Sequence, residues 1–373
     1  MRIALTGRGR YGDAMHQPLD PTAPFAPALA AINSRVDDWL RTDSFPAAIN
    51  PAWLREAVLA YPRRGGKRLR PALALWCCGL TGGDPERAWP AALAVELYHN
   101  WTLIHDDIID GDATRRGLPS CHILLEQAAA AQLPAMSRAR RERFGRDQAI
   151  LAGDILHGWS LAVLARLSGA VGQALVSRLA SRVTPLLISG EAQDVEYAYR
   201  AAVRPAEIWR MMFRKTGVLL QFAAEAGAMI GAGTADPLHS APRRLGRMAR
   251  QAGIAFQLRD DWLGLFGDEA TLGKPAGSDL REGKQTLLFT TALAGLEAPT
   301  RQRLLQLSGR PDLSSDELDE ARALVRHSHA EAVLRRREER LIQAARATLL
   351  TFPDTPWRRL LADWLRFVCE RTY

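Results

Sequence analysis

The first candidate for chemistry is an acidic segment that ends an apolar stretch, residues 99–110 (HNWTLIHDDIID). On a helix, Asp106 and Asp110 at i and i+4 would place their carboxylates on one face, and His99 would lie on the same stripe two turns earlier. Acidic side chains in the last turn of a helix oppose its macrodipole, which favours cations there. With Asp107 between them, these aspartates form a candidate cation site.

A second acidic segment, residues 256–264 (FQLRDDWLG), has the same character. Asp260 and Asp261 are flanked by aromatic residues, and Gln257 would share a helix face with Asp260. Carboxylates grouped in apolar surroundings must be neutralised or bound to a cation, and oxygen ligands without thiols or clustered imidazoles favour Mg²⁺. An Asp-Asp pair alone proves little, because residues 37–40 repeat the tetrapeptide DDWL and we assign no function to that copy.

Basic residues lie near both acidic segments, and the lysines are the informative ones. Of 49 basic residues only four are lysine, namely Lys67, Lys215, Lys274 and Lys284. A lysine ammonium is compact and flexible, so it is not interchangeable with arginine at a tight site. Lys67, Lys274 and Lys284 each follow a glycine, and Arg115 and Arg116 follow the first acidic segment. Glycine-flanked lysine and paired arginine suit diphosphate oxygens, which require close backbone approach and charge-assisted hydrogen bonds.

Helices must carry these residues, because no segment after about residue 31 alternates with period two between turn signals. The predicted fold class is all-α. We predict helices near 28–41, 50–60, 69–80, 86–110, 148–168, 170–198, 205–231, 242–264, 284–295, 298–307, 315–325, 328–350 and 356–370.

Two segments stand apart from the helical pattern. Residues 1–30 contain four prolines and are predicted to be a disordered N-terminal arm, and the GxGxxG match at 7–12 lacks the helix that a dinucleotide site requires. Residues 128–147 become polar and basic and are predicted to be an exposed excursion. Residues 31–373 would then form a single all-helical domain.

Composition excludes several classes of protein. The chain is 47% hydrophobic and 24% charged, which is typical of a globular protein, and its four cysteines show no zinc-site spacing. No apolar run approaches the roughly 18 residues of a membrane span, and the N-terminus lacks the apolar core of a signal peptide. We expect a soluble cytoplasmic protein without integral membrane association. The net charge is +8, but 41 acidic residues are interspersed with the basic ones and no nucleic-acid recognition motif is present. We therefore expect no nucleic-acid partner.

Taken together, these segments resemble the trans-isoprenyl diphosphate synthases, which form the polyprenyl synthetase family. The matching segments occur in the family's order: GGKRLRP at 65–71, HNWTLIHDDIID at 99–110, RRG at 115–117, GEAQD at 190–194, KT at 215–216, FQLRDD at 256–261 and GKPAGSDLREGK at 273–284. The resemblance implies a single-domain helical bundle of the isoprenoid-synthase type around a central cavity, usually as a homodimer. The two Asp-rich turns would face each other across the mouth of that cavity.

The resemblance also implies head-to-tail condensation of isopentenyl diphosphate with an allylic diphosphate. Three Mg²⁺ per active site would be shared between the allylic diphosphate and Asp106, Asp107, Asp110, Asp260 and Asp261. Isopentenyl diphosphate would be held by Lys67, Arg70, His99 and Arg116. The allylic diphosphate would be held by Arg115, Lys215, Lys274 and Lys284, and Thr216 and Gln257 would stabilise the developing carbocation.

Product length depends on residues that precede the first Asp-rich turn. In the family, bulky residues four, five or eight positions before the first Asp form the cavity floor, and these positions are Thr102, Trp101 and Tyr98 here. Thr102 is small, whereas Trp101 and Tyr98 at i and i+3 could close the tunnel together. We favour geranylgeranyl diphosphate over farnesyl diphosphate as the product. The alternative is that both aromatic residues only pack the helix.

Two positions depart from the family's pattern, and two alternative functions are open. Gly264 stands where many members have a third Asp in the second turn, and Glu191 stands where Gln is common. The alternatives to a geranylgeranyl diphosphate synthase are a farnesyl diphosphate synthase and a type I terpene cyclase. A cyclase would carry an Asn/Asp-Ser-Glu triad, which we do not find, and would not need the GGKR and paired-arginine segments.

Overall fold

The computed structural model describes residues 18–200, 202–267 and 277–369. Its helices are α1 (Phe25–Thr42), α2 (Ala52–Arg63), α3 (Leu69–Leu80), α4 (Trp89–Ile109), α5 (Cys121–Gln132), α6 (Arg138–Leu164), α7 (Gly169–Arg178), α8 (Thr184–Ala198), α9 (Pro205–Met212), α10 (Val218–Ala232), α11 (Ser240–Phe266), α12 (Ser278–Arg281), α13 (Leu287–Gly295), α14 (Ala298–Leu307), α15 (Ser315–His327), α16 (Ala330–Leu350) and α17 (Pro356–Cys369). Short 3₁₀ turns lie at Phe45–Ala48 and Pro85–Ala88, and a small antiparallel hairpin is formed by β1 (Thr114–Arg115) and β2 (Leu118–Pro119).

Helix α4 lies at the centre of the main apolar core. Every residue from Trp89 to Tyr98 is buried, because α3, α6 and α10 pack around it. A helix that is apolar all round is stable only inside a larger core, and burial of its side chains supplies the main driving force for this packing. From Trp101 onward, buried residues alternate with partly exposed ones, and Asp106 and Asp110 are among those that are partly exposed.

Two helices of the sequence pattern are interrupted by π turns. α7 and α8 are joined by a π turn at Leu179–Val183, and α9 and α10 by another at Phe213–Gly217. π turns are rare and are found mostly at functional sites. The second π turn, Phe213–Gly217, contains Lys215 and Thr216. Uniform helical periodicity predicted one helix over 205–231 and could not reveal this widened turn.

Helix α1 begins inside the predicted N-terminal arm, so residues 25–30 are helical and not disordered. Pro27 is compatible with this because the first turn of a helix has no intrahelical N–H bonds to lose. The Phe25 ring contacts Trp76 and Phe367, with centroids 5.7 and 5.3 Å apart, and this anchors the start of α1.

The predicted excursion at 128–147 is the connection between α5 and α6. It is largely exposed from residue 130 to residue 140, as the polar composition indicated. However, α6 begins at Arg138, where we expected a loop, and ion pairs at i, i+4 spacing such as Arg138–Glu142 support its first turns.

The four cysteines are buried free thiols, in agreement with the absence of a disulfide framework. Within the described ranges, none of the helices is both long and apolar enough to cross a bilayer.

Candidate active site

The first acidic turn is the C-terminal end of α4. The Asp107 side chain is fully buried and accepts hydrogen bonds from the Tyr61 hydroxyl and from the Arg115 guanidinium, whose Nε lies 2.8 Å away. Asp110 caps the helix, and its Oδ2 lies 3.5 Å from the Lys284 ammonium. Asp107 therefore has a structural ion pair, whereas the Asp106 and Asp110 side chains are partly exposed.

The π turn before α10 places a lysine among acidic residues of α8. The Lys215 Nζ lies 2.6 Å from Asp194 and 2.9 Å from Glu191. Burial alone would lower the pKa of Lys215, but the carboxylates of Asp194, Glu191 and Asp106 raise it above its ordinary value. Gly190 permits this arrangement, because a Cβ there would collide with the Lys215 backbone nitrogen. Lys215 therefore connects α8 with the first acidic turn.

The second acidic turn is held in place by a chain of hydrogen bonds. The Thr216 hydroxyl donates to Gln257 Oε1 at 2.8 Å, and Gln257 Nε2 donates to Asp261 Oδ1 at 3.0 Å. Asp261 is buried, and burial together with the nearby Asp279, Asp194 and Asp260 charges raises its pKa to about 8. At neutral pH this carboxyl therefore keeps most of its proton unless a cation approaches.

Gly264 leaves space that another carboxylate occupies. A Cβ built at Gly264 would lie 2.5 Å from Asp279 Oδ2, so the Asp279 side chain lies beside the backbone where a third aspartate of this turn would begin. Asp279 is also close enough to Lys284 to raise the pKa of that ammonium, although burial opposes the shift and Asp110 acts more strongly. Asp279 and Lys284 thus bring residues 279–284 near both acidic turns.

The acidic groups fit a divalent cation. Burial and the nearby Glu191 charge raise the pKa of Asp106 to about 7, so negative charge is in excess here despite Lys215. The acidic side chains offer carboxylate oxygens, which are ligands that Mg²⁺ prefers. Within the described part of the chain no three acidic, histidine or cysteine side chains converge closely enough to hold a metal by themselves. Diphosphate oxygens would therefore have to complete the coordination, as is common for Mg²⁺.

A basic cluster lies beside the first acidic turn. The β1–β2 hairpin turns at Arg116 and Gly117, whose positive φ values of 54° and 73° are those of a two-residue type I′ turn. The Arg116 guanidinium donates to the Gly65 carbonyl and fills the space where a Cβ of Gly66 would lie. Burial and the surrounding charges of Arg70, Arg116, Arg115 and Arg68 lower the pKa of the partly buried His99. A neutral imidazole among guanidinium groups is well suited to bind an anion.

Lys67 is exposed and directly precedes Arg68 in the loop that leads to this cluster. Its Nζ is 5.3 Å from the centroid of the Phe367 ring on α17, and the Trp364 indole of that helix donates to the Leu69 carbonyl at 3.0 Å. Helix α17 therefore fixes the start of α3, on which Arg70 is carried.

The candidate floor residues form an aromatic cluster below the first acidic turn. The Tyr98 and Trp101 rings meet edge to face at 4.8 Å, and the His157 ring lies 4.4 Å from Trp101. The Tyr98 hydroxyl bonds to Thr184 at 3.1 Å, just after the π turn that joins α7 and α8. Thr102 is partly exposed and its hydroxyl bonds to the His99 carbonyl. Trp101 therefore packs against α6, and Tyr98 is hydrogen-bonded to α8.

Most of the predicted site residues fall into two adjoining groups. The acidic group contains Asp106, Asp107, Asp110, Asp260, Asp261, Lys215, Lys284, Thr216 and Gln257, and the basic group contains Arg70, His99, Arg115 and Arg116. Lys67 lies on the loop before Arg70, with its ammonium over the Phe367 ring. Arg115 was expected to hold the allylic diphosphate and is bonded to Asp107 here, between the two groups. Lys274 lies outside the described residues.

Sequence reasoning missed four polar residues of the site. Glu191 and Asp194 lie in the GEAQD segment, whose i, i+3 spacing was a usable signal that received no role. Asp279 lies within the segment 273–284 but was assigned no role, and no sequence pattern marked Tyr61 as a site residue.

Comparison with known proteins resolves the family. The sequence profile of the polyprenyl synthetase family matches residues 51–325 of the chain. The chain belongs to the polyprenyl synthetase family. This polyprenyl synthetase is 37% identical over 265 residues to a short-chain isoprenyl diphosphate synthase of Methanocaldococcus jannaschii, covering 71% of this chain and 73% of the relative.

Two further comparisons describe what this polyprenyl synthetase is similar to. A geranylgeranyl diphosphate synthase of Saccharolobus solfataricus is 34% identical over 298 residues, which cover 79% of this chain and 81% of the relative. The crystal structure of a Corynebacterium glutamicum geranylgeranyl pyrophosphate synthase, complexed with isoprenyl diphosphate and magnesium, has a TM-score of 0.81 at 28% identity, covering 92% of this chain and 99% of that one. The predicted family, all-α fold and prenyltransferase class are confirmed.

Proposed function

We propose that this prenyltransferase condenses isopentenyl diphosphate with an allylic diphosphate and releases geranylgeranyl diphosphate. The observation that carries the proposal is the adjacency of two unlike anion sites. One is rich in carboxylates with two lysines and fits a metal-bound diphosphate, and the other is rich in arginine around His99 and fits a diphosphate directly.

The allylic diphosphate would lie between the two acidic turns. Three Mg²⁺ would supply Lewis-acid stabilisation of the departing diphosphate. Asp106, Asp110 and Asp260 would be their main protein ligands. Lys215, which pairs with Asp194 and Glu191, and Lys284, which pairs with Asp110, would contact the diphosphate oxygens through charge-assisted hydrogen bonds. Asp107 and Asp261 would support the ligands, and Arg115 and Lys274 would add charge.

Isopentenyl diphosphate would bind in the basic cluster. Lys67, Arg70 and Arg116 would supply charge, and His99 would donate one N–H without adding a second charge, because its pKa is lowered by burial and by the neighbouring guanidinium groups. The Gly65–Gly66 backbone is open to the ligand except where Arg116 fills it.

Thr216 and Gln257 would face the carbon that loses the diphosphate. Their mutual hydrogen bond and the bond from Gln257 to Asp261 fix both side-chain dipoles in advance. Preorganised oxygen dipoles stabilise a developing positive charge without reorganising in the transition state.

The length of the product would be limited by Trp101 and Tyr98. Trp101 lies five residues before Asp106, which corresponds to about 7.5 Å along a helix. Both rings are buried and braced by α6 and α8, so a growing chain cannot push them aside without disrupting their packing. The similarity to geranylgeranyl diphosphate synthases supports a product of this short-chain class.

We also infer a homodimer. Exposed apolar residues Ile188, Ala192 and Val195 follow one face of α8, and Ile150 and Leu151 are exposed on α6. An apolar helix stripe at this spacing is typical of a surface that another helix covers. Sedimentation at twice the mass of the chain would support the dimer, and monomeric behaviour would contradict it. A cytoplasmic location stays a prediction.

The proposed activity is tested with labelled isopentenyl diphosphate, Mg²⁺ and allylic primers of five to fifteen carbons. We expect Mg²⁺-dependent incorporation with a twenty-carbon product. No incorporation with any primer contradicts the proposal, and a fifteen-carbon product identifies a farnesyl diphosphate synthase instead. A cyclic hydrocarbon formed from the allylic substrate alone would identify a terpene cyclase.

The floor is tested by Trp101→Ala. Removing the indole opens space beneath the first acidic turn, so we expect products longer than those of the wild type, measured by reverse-phase chromatography. Trp159→Phe serves as a control, because Trp159 is buried against Trp39 and Phe45, away from this cluster. An unchanged product from Trp101→Ala would show that Trp101 only packs the helix.

A further inference from the structure

The loop that enters α3 contains an arginine in an unusual conformation. Arg68 has φ 44° and ψ 35°, which is the left-handed region that residues other than glycine seldom adopt. Its side chain is 1% exposed. A strained and buried arginine persists only where the surrounding structure determines it. Its neighbours along the chain are Lys67 and, two residues on, Arg70, both candidate ligands of isopentenyl diphosphate.

Three parts of the fold hold the Arg68 guanidinium. Nη1 lies 2.5 Å from Glu96 Oε1 on α4, and Nη2 lies 2.5 Å from the Pro62 carbonyl at the end of α2. Nη2 also lies 3.2 Å from Asp37 Oδ1 on α1. Asn100 Nδ2 donates to the Glu96 carbonyl at 2.8 Å and lies 3.2 Å from Glu96 Oε1, which fixes the carboxylate. Arg68 thus joins α1, α2 and α4 at one point.

We propose that Asp37, Arg68 and Glu96 form a positioning group that fixes the loop carrying Lys67 and Arg70 for the diphosphate of isopentenyl diphosphate. Arg68 itself cannot bind this anion, because its charge is already paired inside the protein. Its neutralisation leaves the ligand to Lys67 and Arg70, and Glu96 lies one helical turn before His99 on α4. This inference rests on the proposed function of the basic cluster.

The inference also gives a role to the third Asp-Asp pair of the chain. Asp37 reaches Arg68, whereas its neighbour Asp38 pairs with Arg41 on the surface of α1. The two aspartates are adjacent, are both partly buried and differ in their partners. They therefore form a matched test and control.

The test compares Asp37→Asn with Asp38→Asn. Asp37→Asn weakens one charge-assisted hydrogen bond to Arg68, so we expect the KM for isopentenyl diphosphate to rise by about three- to tenfold. The KM for the allylic diphosphate and kcat should change less than about twofold, because the acidic site is untouched. Asp38→Asn should leave all three unchanged. Equal effects of Asp37→Asn on both substrates would overturn the inference.

A second pair of variants distinguishes a loss of binding from a loss of folding. Arg68→Met alone leaves Glu96 buried without its cation, whereas Arg68→Met with Glu96→Gln removes both charges and should restore the thermal midpoint. We expect the double variant to fold and yet to bind isopentenyl diphosphate weakly, because the loop is no longer held. Wild-type affinity in the folded double variant would overturn the inference.

Direct binding separates this inference from the proposed function. Isopentenyl diphosphate without a primer is titrated calorimetrically into the wild type, Asp37→Asn and Asp38→Asn. If the wild type binds this ligand but does not elongate an allylic diphosphate, the proposed function fails. The inference is then still judged by the three affinities. If the wild type is active and all three affinities agree, the inference fails alone.

Discussion

The two acidic turns look alike in sequence but are balanced differently in the structure. In the first, Asp107 is bonded to Arg115 and Tyr61, and Asp110 faces Lys284. In the second, Asp261 is buried against Gln257, with carboxylates as its closest charges, and its pKa rises to about 8. Asp107 is thus paired with a cation of the protein itself, whereas Asp261 keeps its proton until a cation approaches.

This difference separates an aspartate that stabilises the fold from one whose charged form needs a bound cation. A buried carboxylate that already has its ion pair contributes to folding, and its loss leaves a buried cation without a partner. A buried carboxylate with a raised pKa costs stability when it ionises, so a metal ion that binds there stabilises the charged form. Neighbouring residues of one Asp-Asp pair can therefore have opposite effects on stability.

The largest expected effect is on catalysis, from Asp106→Asn in the first turn. In the proposed function Asp106 is a principal metal ligand, and its loss would remove stabilisation that is strongest in the transition state, so we expect kcat/KM to fall by about 10²–10³-fold. Initial rates at saturating Mg²⁺ measure this effect, with Asp38→Asn as the surface control. An Asp106→Asn enzyme of normal rate would remove the first turn from the metal site.

The next effect is on folding and separates Asp107 from Asp261. Asp107→Asn leaves Arg115 with only the more distant Asp112 at 3.5 Å, so the free energy of unfolding should fall by about 3 kcal/mol. Asp261→Asn replaces a carboxyl that is already mostly protonated at pH 7, so the change should be less than about 1 kcal/mol. Urea unfolding in the presence of a chelator measures both, and equal losses would contradict the comparison.

A smaller effect is the pH dependence of the metal-free protein. Asp106 and Asp261 have folded-state pKa values of about 7 and about 8, above that of an unfolded aspartate at about 4. Between about pH 4 and about pH 8 the folded state binds more protons at these two carboxyls, so their contribution to stability falls as pH rises and then levels off. The lowered pKa values of His99, His122 and His157 give an opposing contribution below about pH 6.5. The slope of the thermal midpoint against pH in chelator should therefore be less negative in Asp261→Asn than in the wild type.

The control for the pH dependence is Asp38→Asn, which should keep the wild-type slope. Excess Mg²⁺ with inorganic pyrophosphate should flatten the wild-type slope, because the charged carboxylates then have partners. Identical slopes for the wild type and Asp261→Asn in chelator would contradict the account.

The smallest effect concerns Gly264. In Gly264→Ala the new Cβ would meet the Asp279 carboxylate, which has to move away from the second turn. We expect the Mg²⁺ concentration for half-maximal rate to rise by about three- to tenfold while the free energy of unfolding changes by less than about 1 kcal/mol. Gly158→Ala is the matched control, since nothing lies near a Cβ at that exposed helix position. An unchanged Mg²⁺ requirement would exclude Asp279 from the site.

Much of the fold could be predicted from the sequence, because apolar periodicity and glycine or proline breaks mark helix ends locally. The predicted helices at 69–80 and 298–307 have the bounds that the structure gives. The start of α6 was misplaced because its first turns are exposed and therefore carry no apolar stripe. The π turns were missed because one extra residue in a helical turn hardly alters that stripe.

The site could be predicted only where it resembles the family's motifs. Spacing and flanking residues marked the two Asp-rich segments and the lysines, and the family's motifs suggested their roles, whereas the partners of those residues depend on tertiary contacts. Tyr61 reaches Asp107 across 46 positions of sequence, and Asp37 reaches Arg68 across 31. No local pattern predicts contacts between such distant residues, so the distinction between the two acidic turns required the structure.

The central claim is that both acidic turns act together in Mg²⁺-dependent chain elongation. The most direct measurement is the incorporation of labelled isopentenyl diphosphate into a twenty-carbon product by the wild type, Asp106→Asn, Asp260→Asn and Asp38→Asn in parallel. We predict full incorporation by the wild type and Asp38→Asn and a loss of about 10²-fold or more in each of the other two variants. Normal incorporation by either Asp106→Asn or Asp260→Asn would contradict the claim.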